Sequence, residues 1–85
     1  MNAQSGAGDD VQRTLDREVD LLVSAVNLVA GGVAPSTIVA GLQLGEAVLS
    51  IVEPIAAERG VILEALWGPD EGGCDIRVRR QAQAR

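Results

Sequence analysis

Apolar residues in the first third of the chain recur at spacings of four and three, at Leu15, Val19, Leu22, Val26 and Val29. At 3.6 residues per turn this lines them along one helical face and predicts a helix from Asp9 or Asp10 to Ala30. Arg13, Asp16, Arg17, Asp20, Ser24 and Asn27 form the opposing polar stripe. Asp9 and Asp10 suit the start, where a carboxylate meets free N–H groups and the positive end of the dipole, and Gly31-Gly32 supplies a left-handed stop. Leu21, Val23, Ala25 and Leu28 widen the apolar arc beyond a coiled-coil seam, so the helix is expected to be mostly buried, against a sheet or between two surfaces.

The period then changes. After Pro35, the stretch Ser36-Thr37-Ile38-Val39-Ala40-Gly41-Leu42 is short, apolar and rich in β-branched residues, which reads as a buried strand. From Leu44 to Arg59 a polar line at Glu46, Ser50, Glu53 and Ala57 opposes Val48, Leu49, Val52, Ile55 and Ala56, a second helix. Pro54 removes one backbone hydrogen bond inside it and predicts a kink or a restart, with Gly60 closing the element. Residues 61–67 (Val-Ile-Leu-Glu-Ala-Leu-Trp) read as a strand, 68–73 as a turn, and 74–79 as a returning strand. In the returning strand Ile76 and Val78 face one way while Asp75, Arg77 and Arg79 face the other, so one sheet face is wet.

This order predicts a small α+β domain, helix-strand-helix-strand-strand, with a three-stranded mixed sheet covered by two helices on one face. A right-handed crossover puts strand 36–42 parallel to strand 61–67, and the final hairpin adds an antiparallel strand at the edge. Residues 1–8 and the basic stretch 80–85 lack an apolar pattern and read as flexible tails flanking a single domain at 9–79.

Composition narrows the chemistry. Eighty-five residues allow one core, histidine, tyrosine and phenylalanine are absent, Cys74 is the only cysteine and Trp67 the only aromatic residue. One cysteine makes no intrachain disulfide, and a structural zinc site needs about four Cys or His ligands. Neither enzyme, metal protein nor cofactor carrier is expected. The cysteine usage fits a reducing cytoplasm, and the start Met1-Asn2-Ala3-Gln4-Ser5-Gly6 has neither the charge nor the apolar stretch of a signal peptide.

A net charge of -5 argues against a nucleic-acid backbone as partner; the arginines at 77, 79, 80 and 85 read as a solvated, charged edge strand. Leu21 to Gly45 runs 25 residues without a charge, long enough for a bilayer. It is broken by Gly31-Gly32 and Ala34-Pro35-Ser36-Thr37, contains Asn27, and is flanked by Asp20 and Glu46 without a basic anchor, which favours a soluble protein.

Individual candidates reduce to structural roles. The acidic turn Asp70-Glu71-Gly72-Gly73-Cys74-Asp75 offers oxygen ligands but lacks the alternating spacing and distal glutamate of a calcium loop, so it reads as a solvated hairpin. Cys74 has no histidine to hold a thiolate and reads as an inert strand residue. Asp16 and Asp20 interleave with Arg13 and Arg17 as a solvated face, and the glycines at 31, 32, 41 and 45 read as capping and packing residues because no phosphate-loop pattern surrounds them.

The stretch Gly32 to Leu49 resembles the frame of a bacterial helix-turn-helix, with Ile38, Leu42, Leu44 and Leu49 in the apolar slots and the turn at Gln43 to Gly45. With the following strand, turn and strand as a wing, the resemblance implies a winged helix of three helices plus a β-hairpin and a transcriptional regulator. Its recognition helix would carry Glu46, Ala47, Ser50, Ile51, Glu53 and Pro54, none of them a base reader.

The function expected from the residues is protein binding. Nearly half of the chain, 47%, is hydrophobic, and strand 61–67 is apolar on both faces, so surplus apolar surface points to a homodimer or to docking on a larger subunit. The expected interface comprises Trp67, Leu63, Val61, Ile76, Val78, Arg77 and Arg79, through the open sheet face or the edge strand 74–79.

Overall fold

The computed structural model describes residues 3–67 and 74–81. Five elements follow in order: α1 (Ala3–Ala30), β1 (Ser36–Leu42), α2 (Gly45–Glu58), β2 (Val61–Trp67) and β3 (Cys74–Arg80). The α+β class and the alternation of helices and strands agree with the sequence pattern. The uncharged run 21–45 is divided between the end of α1, a turn, β1 and the corner into α2, and no described helix is long and apolar enough to cross a membrane.

The sheet differs from expectation. Its order is β1-β3-β2, and β3 pairs antiparallel with both neighbours, so the sheet is antiparallel rather than mixed. β1 and β2 do run in the same direction, but the last strand inserts between them instead of adding at the edge. Antiparallel ladders on both sides satisfy β3 fully, whereas the adjacent arrangement would leave one side of it open. The strand 74–79 is therefore the centre of the sheet, and the edges are β1 and β2. The winged-helix alternative is also excluded: residues 36–42 form a strand, as their β-branched content favours, and only two helices are present among the described residues.

Both helices lie on one face of the sheet, α1 over β1 and β3, α2 over β2 and β3. From α1 come Leu22, Ala25, Val26 and Val29, from α2 Val48, Val52 and Ala56, and from the strands Leu42, Val61, Cys74, Ile76 and Val78, all buried together in one core.

α1 begins at Ala3, not at Asp9, and takes in residues 3–8, which lack an apolar pattern and were expected to form a tail. Extending a nucleated helix gains one hydrogen bond per residue added. Asp9 and Asp10 are consequently interior, and Asp10 pairs with Arg13 one turn on, at 3.4 Å. The expected glycine stop is present. Gly32 has φ +80, its N–H donates to the Val29 carbonyl, and the Val33 N–H donates to the Leu28 carbonyl, the two bonds of a Schellman cap.

Between Val39 and Leu42 the β1–β3 register shifts by one residue. Gly41, at φ +73, takes up the extra residue, and its N–H donates to Asp75 Oδ1 at 3.0 Å. The bulge turns Leu42 back into the core, where it is buried. α2 passes through Pro54 as one continuous helix, without the expected restart. Pro54 and Ser50, whose carbonyl loses its donor, are both exposed, so water reaches that carbonyl.

At the N-terminus of α2, Leu44 provides no side-chain cap. Glu18 of α1 does so from a distance. Its buried carboxylate accepts from the N–H of Gln43 at 2.8 Å and of Leu44 at 2.9 Å. This satisfies free donors and sets a negative group at the positive helix end. Gly45 then allows α2 to approach β3: a Cβ there would lie 2.6 Å from Cys74 Cβ.

Candidate functional site

Cross-strand rows sort the sheet into two faces. Thr37–Val78–Leu63 and Val39–Ile76–Ala65 face the helices; Ser36–Arg79–Ile62, Ile38–Arg77–Glu64 and the pair Asp75–Leu66 face away.

This placement divides the expected interface residues. Val61, Ile76 and Val78 are buried in the core, and Leu63 packs against it, so these four hold the chain's own helices, while Val61 and Leu63 also line an open groove between α2 and β2. Trp67 pairs with Cys74 in the ladder. Arg77 and Arg79 point outward on the helix-free face, from the central strand instead of from an edge. There Glu64 accepts from Arg79 Nε at 3.1 Å and Nη2 at 3.4 Å, with Arg77 Nη1 at 3.7 Å. The hydrogen bond from Arg79 holds the Glu64 carboxyl below the ordinary glutamate range, against the opposing effect of desolvation and aided by the charges of Arg79 and Arg77. These two arginines are thus partly neutralised by a neighbour.

Cys74 is buried on the helix side, away from Arg77 and Arg79, and burial pushes its thiol up from 9.0. It stays protonated at neutral pH, which suits packing and not nucleophilic attack. Of the acidic turn, residues 70–73 lie outside the described residues, while Asp75 is engaged with Gly41. Among the described residues no three His, Cys, Asp or Glu side chains gather in a way that could hold a metal ion. The described residues form open grooves, among them one of about 430 Å³ between α2 and the β2 edge, lined in part by Pro54, Ala57 and Ile62, and one of about 240 Å³ between α1 and the β1–α2 corner, lined by Asp10, Val11, Thr14, Gln43 and Leu44. The first has no hydroxyl or thiol in its lining; in the second Thr14 lies one turn from Asp10, whose carboxylate pairs with Arg13.

What the chain leaves uncovered is apolar. Among the described residues the large exposed hydrophobics are Val11, Leu21, Leu28, Val33, Ile38, Ile51 and Leu66. Leu21 and Leu28, expected to be buried, are 50% and 46% exposed because they lie on the flank of α1 away from α2. The direction of α2 is fixed by Asn27, whose side-chain oxygen accepts from Arg59 at the end of α2. Since α1 covers β1 and β3 while α2 covers β2 and β3, the other flank of α1 is the one on the β1 side of the helix layer. Val33 leads into β1, and Ile38 lies on the opposite side of the same strand. Four of the seven exposed hydrophobics thus belong to this flank of α1, to the turn ahead of β1 or to β1 itself, with Ile38 on the face of the strand turned away from the helices. The sequence does carry a signal for this flank, the seven-residue spacing of Thr14, Leu21 and Leu28, which the broader apolar arc obscures.

Comparison with known proteins adds no relative: no family model matches the chain, and neither a curated protein nor a solved structure does.

Proposed function

We propose that this chain is a small non-catalytic binding or assembly protein that acts through an apolar interface, as a homodimer or as an accessory subunit of a larger complex. The observation that carries the reading is the exposure of Leu21 and Leu28 on one flank of α1, of Val33 just ahead of β1 and of Ile38 within that edge strand, each between 46% and 75% exposed. Scattered apolar residues are ordinary on a protein surface; a group on one edge is what interfaces are made of. Covering the exposed half of each such side chain is worth about 1 kcal/mol. The residue inventory supports the non-catalytic part. Histidine is absent, the one cysteine is buried as a thiol, and Glu18 and Glu64, the two carboxylates most fixed in place, serve a helix cap and an ion-pair group.

Native mass measurement of the purified chain across concentration tests this. The expected result is a defined multiple of the chain mass, or a complex with one other protein at fixed stoichiometry. A chain that remains monomeric at high concentration and carries no stoichiometric companion from its host extract would falsify the reading.

A further inference from the structure

We infer that the outer edge of β1 and the adjoining flank of α1 form a two-fold interface with a second copy of this chain, the two β1 strands pairing antiparallel and the two α1 helices running antiparallel across the joint. The inference rests on the interface reading above and names the occupant.

Strand chemistry chooses this edge. No described strand pairs with the outer side of β1, and the stretch Ser36–Ala40 ahead of the bulge contains no charge. Such an edge is a template for another strand. In a two-fold pairing each residue near the axis meets its own copy or a near neighbour of it, so a charge at the centre of the strand opposes itself. β2, the other edge, has Glu64 at its centre, whereas the centre of β1 is Ile38-Val39.

The helix flank fits the same axis. Glu18 reaches the residues just after β1, and the end of α1 at Leu28–Ala30 turns into its start, so β1 lies alongside the stretch of α1 from Glu18 to about Val29. Six strand steps span about 20 Å and eleven helix steps about 17 Å, which sets the middle of β1 beside residues 23–25. A two-fold axis there brings Leu21 of one copy against Leu28 of the other, twice. Charge complements the match. Arg17 is exposed and makes no ion pair among the described residues; α1 has no basic residue in its last turn, and the only cation placed against its Gly32 cap among the described residues is the Arg80 side chain of β3. The antiparallel arrangement places Arg17 of each copy beside the negative C-terminal end of the other α1.

Light scattering on the full chain from roughly 1 μM to 1 mM, the range of moderate to weak association, reads the outcome. The unmodified chain should pass from monomer to dimer. Leu21→Lys and Ile38→Lys, at exposed positions, should each raise the dissociation constant about tenfold or more, as for interface anchors. Leu21→Lys combined with Leu28→Glu should recover much of the loss, because opposite charges then meet across the axis. Ile51→Lys and Leu66→Lys, exposed elsewhere, should leave it unchanged. Hydrogen exchange on the unmodified chain guards against misfolded variants: β1 amides without a partner in β3 should slow as the dimer forms. A dimer indifferent to both lysine variants, with β1 exchange independent of concentration, overturns the assignment. A chain monomeric by itself that binds a different protein through these side chains overturns the second copy but leaves the binding function standing; a monomer with no companion removes both.

Discussion

Glu18 shows how one residue can join two distant segments. Its carboxylate receives two backbone N–H groups from the β1–α2 corner while sitting among the apolar residues of α1. Hydrogen bonds to a charged group contribute about 1.5–3 kcal/mol each, so Glu18→Ala should lower stability by about 3 kcal/mol and Glu18→Gln, whose amide offers one acceptor for two donors, by about half of that. For a domain of this size the alanine variant should melt about 15 °C lower, as followed by circular dichroism. Glu64 gives a second check. Its folded-state pKa is depressed mainly by the hydrogen bond from Arg79, so the stability it adds is complete above the unfolded value near 4.5 and is lost as pH falls through the lower folded value. Carboxyl carbon NMR should place its midpoint below 4.5, and Arg79→Gln should move the midpoint back up; an unmoved midpoint would remove Arg79 as the cause. Neither role was open to local reading. Glu18 falls within the apolar arc of α1 with nothing nearby to explain it, because its partners are 25 and 26 residues away. The partners of Glu64 depend on which strands are neighbours.

At the level of elements, local pattern was informative where local physics decides. The period-3.6 and period-2 stretches, the β-branched run at 36–42 and the glycine stop at 32 all stand where the sequence puts them, since each reflects side-chain spacing or a backbone angle, but the run at 36–42, expected to be buried, is an edge strand in which only Leu42 is buried. Strand order is a different matter. β3 carries the alternation of a half-exposed strand, Ile76 and Val78 against Arg77 and Arg79, and this pattern is the same for an edge strand and for a central strand with one wet face. Four of the seven expected interface residues proved to be core or core-packed for a related reason: apolar character shows that a side chain is to be covered, not whether its own chain or another covers it. Two glycines separate backbone from packing requirements. Gly32→Ala forces a side chain into a left-handed conformation and should cost about 1 kcal/mol. Gly45→Ala brings a Cβ to 2.6 Å from Cys74 Cβ and should cost more, about 1–3 kcal/mol, as overpacking does. Urea titration of the two variants should rank them in that order. Adding Cys74→Ala to Gly45→Ala should give little relief, because the closest contact is with the Cβ that alanine retains; full recovery in the double variant would show the thiol to be the obstacle.

The whole molecule is longer than its sheet. Twenty-eight residues of α1 extend about 42 Å, against about 23 Å for a seven-residue strand, and the chain measures 59 × 27 × 18 Å. Val11 shares the helical side of Leu22 and Val29 yet is 57% exposed, because it lies where α1 passes the end of the sheet layer. Self-association of such a body must also contend with its charge, and this yields a prediction whose sign separates two kinds of binding. Each copy carries -5, and two such charges about 20 Å apart repel by about 2.5 kcal/mol at 10 mM salt, falling to about 0.5 kcal/mol at 150 mM. The attraction between Arg17 and the opposing helix end works the other way, but two exposed contacts of this kind amount to about 1 kcal/mol at low salt. Repulsion outweighs this attraction. Raising salt from about 10 to 150 mM should therefore tighten the dimer by about 1 kcal/mol, roughly fivefold in dissociation constant, in sedimentation equilibrium. Binding to a nucleic-acid backbone would weaken over the same range, through loss of counterion release. A dimer that loosens as salt rises would mean that cross-copy ion pairs, not apolar contacts at the β1 edge, hold the two chains together.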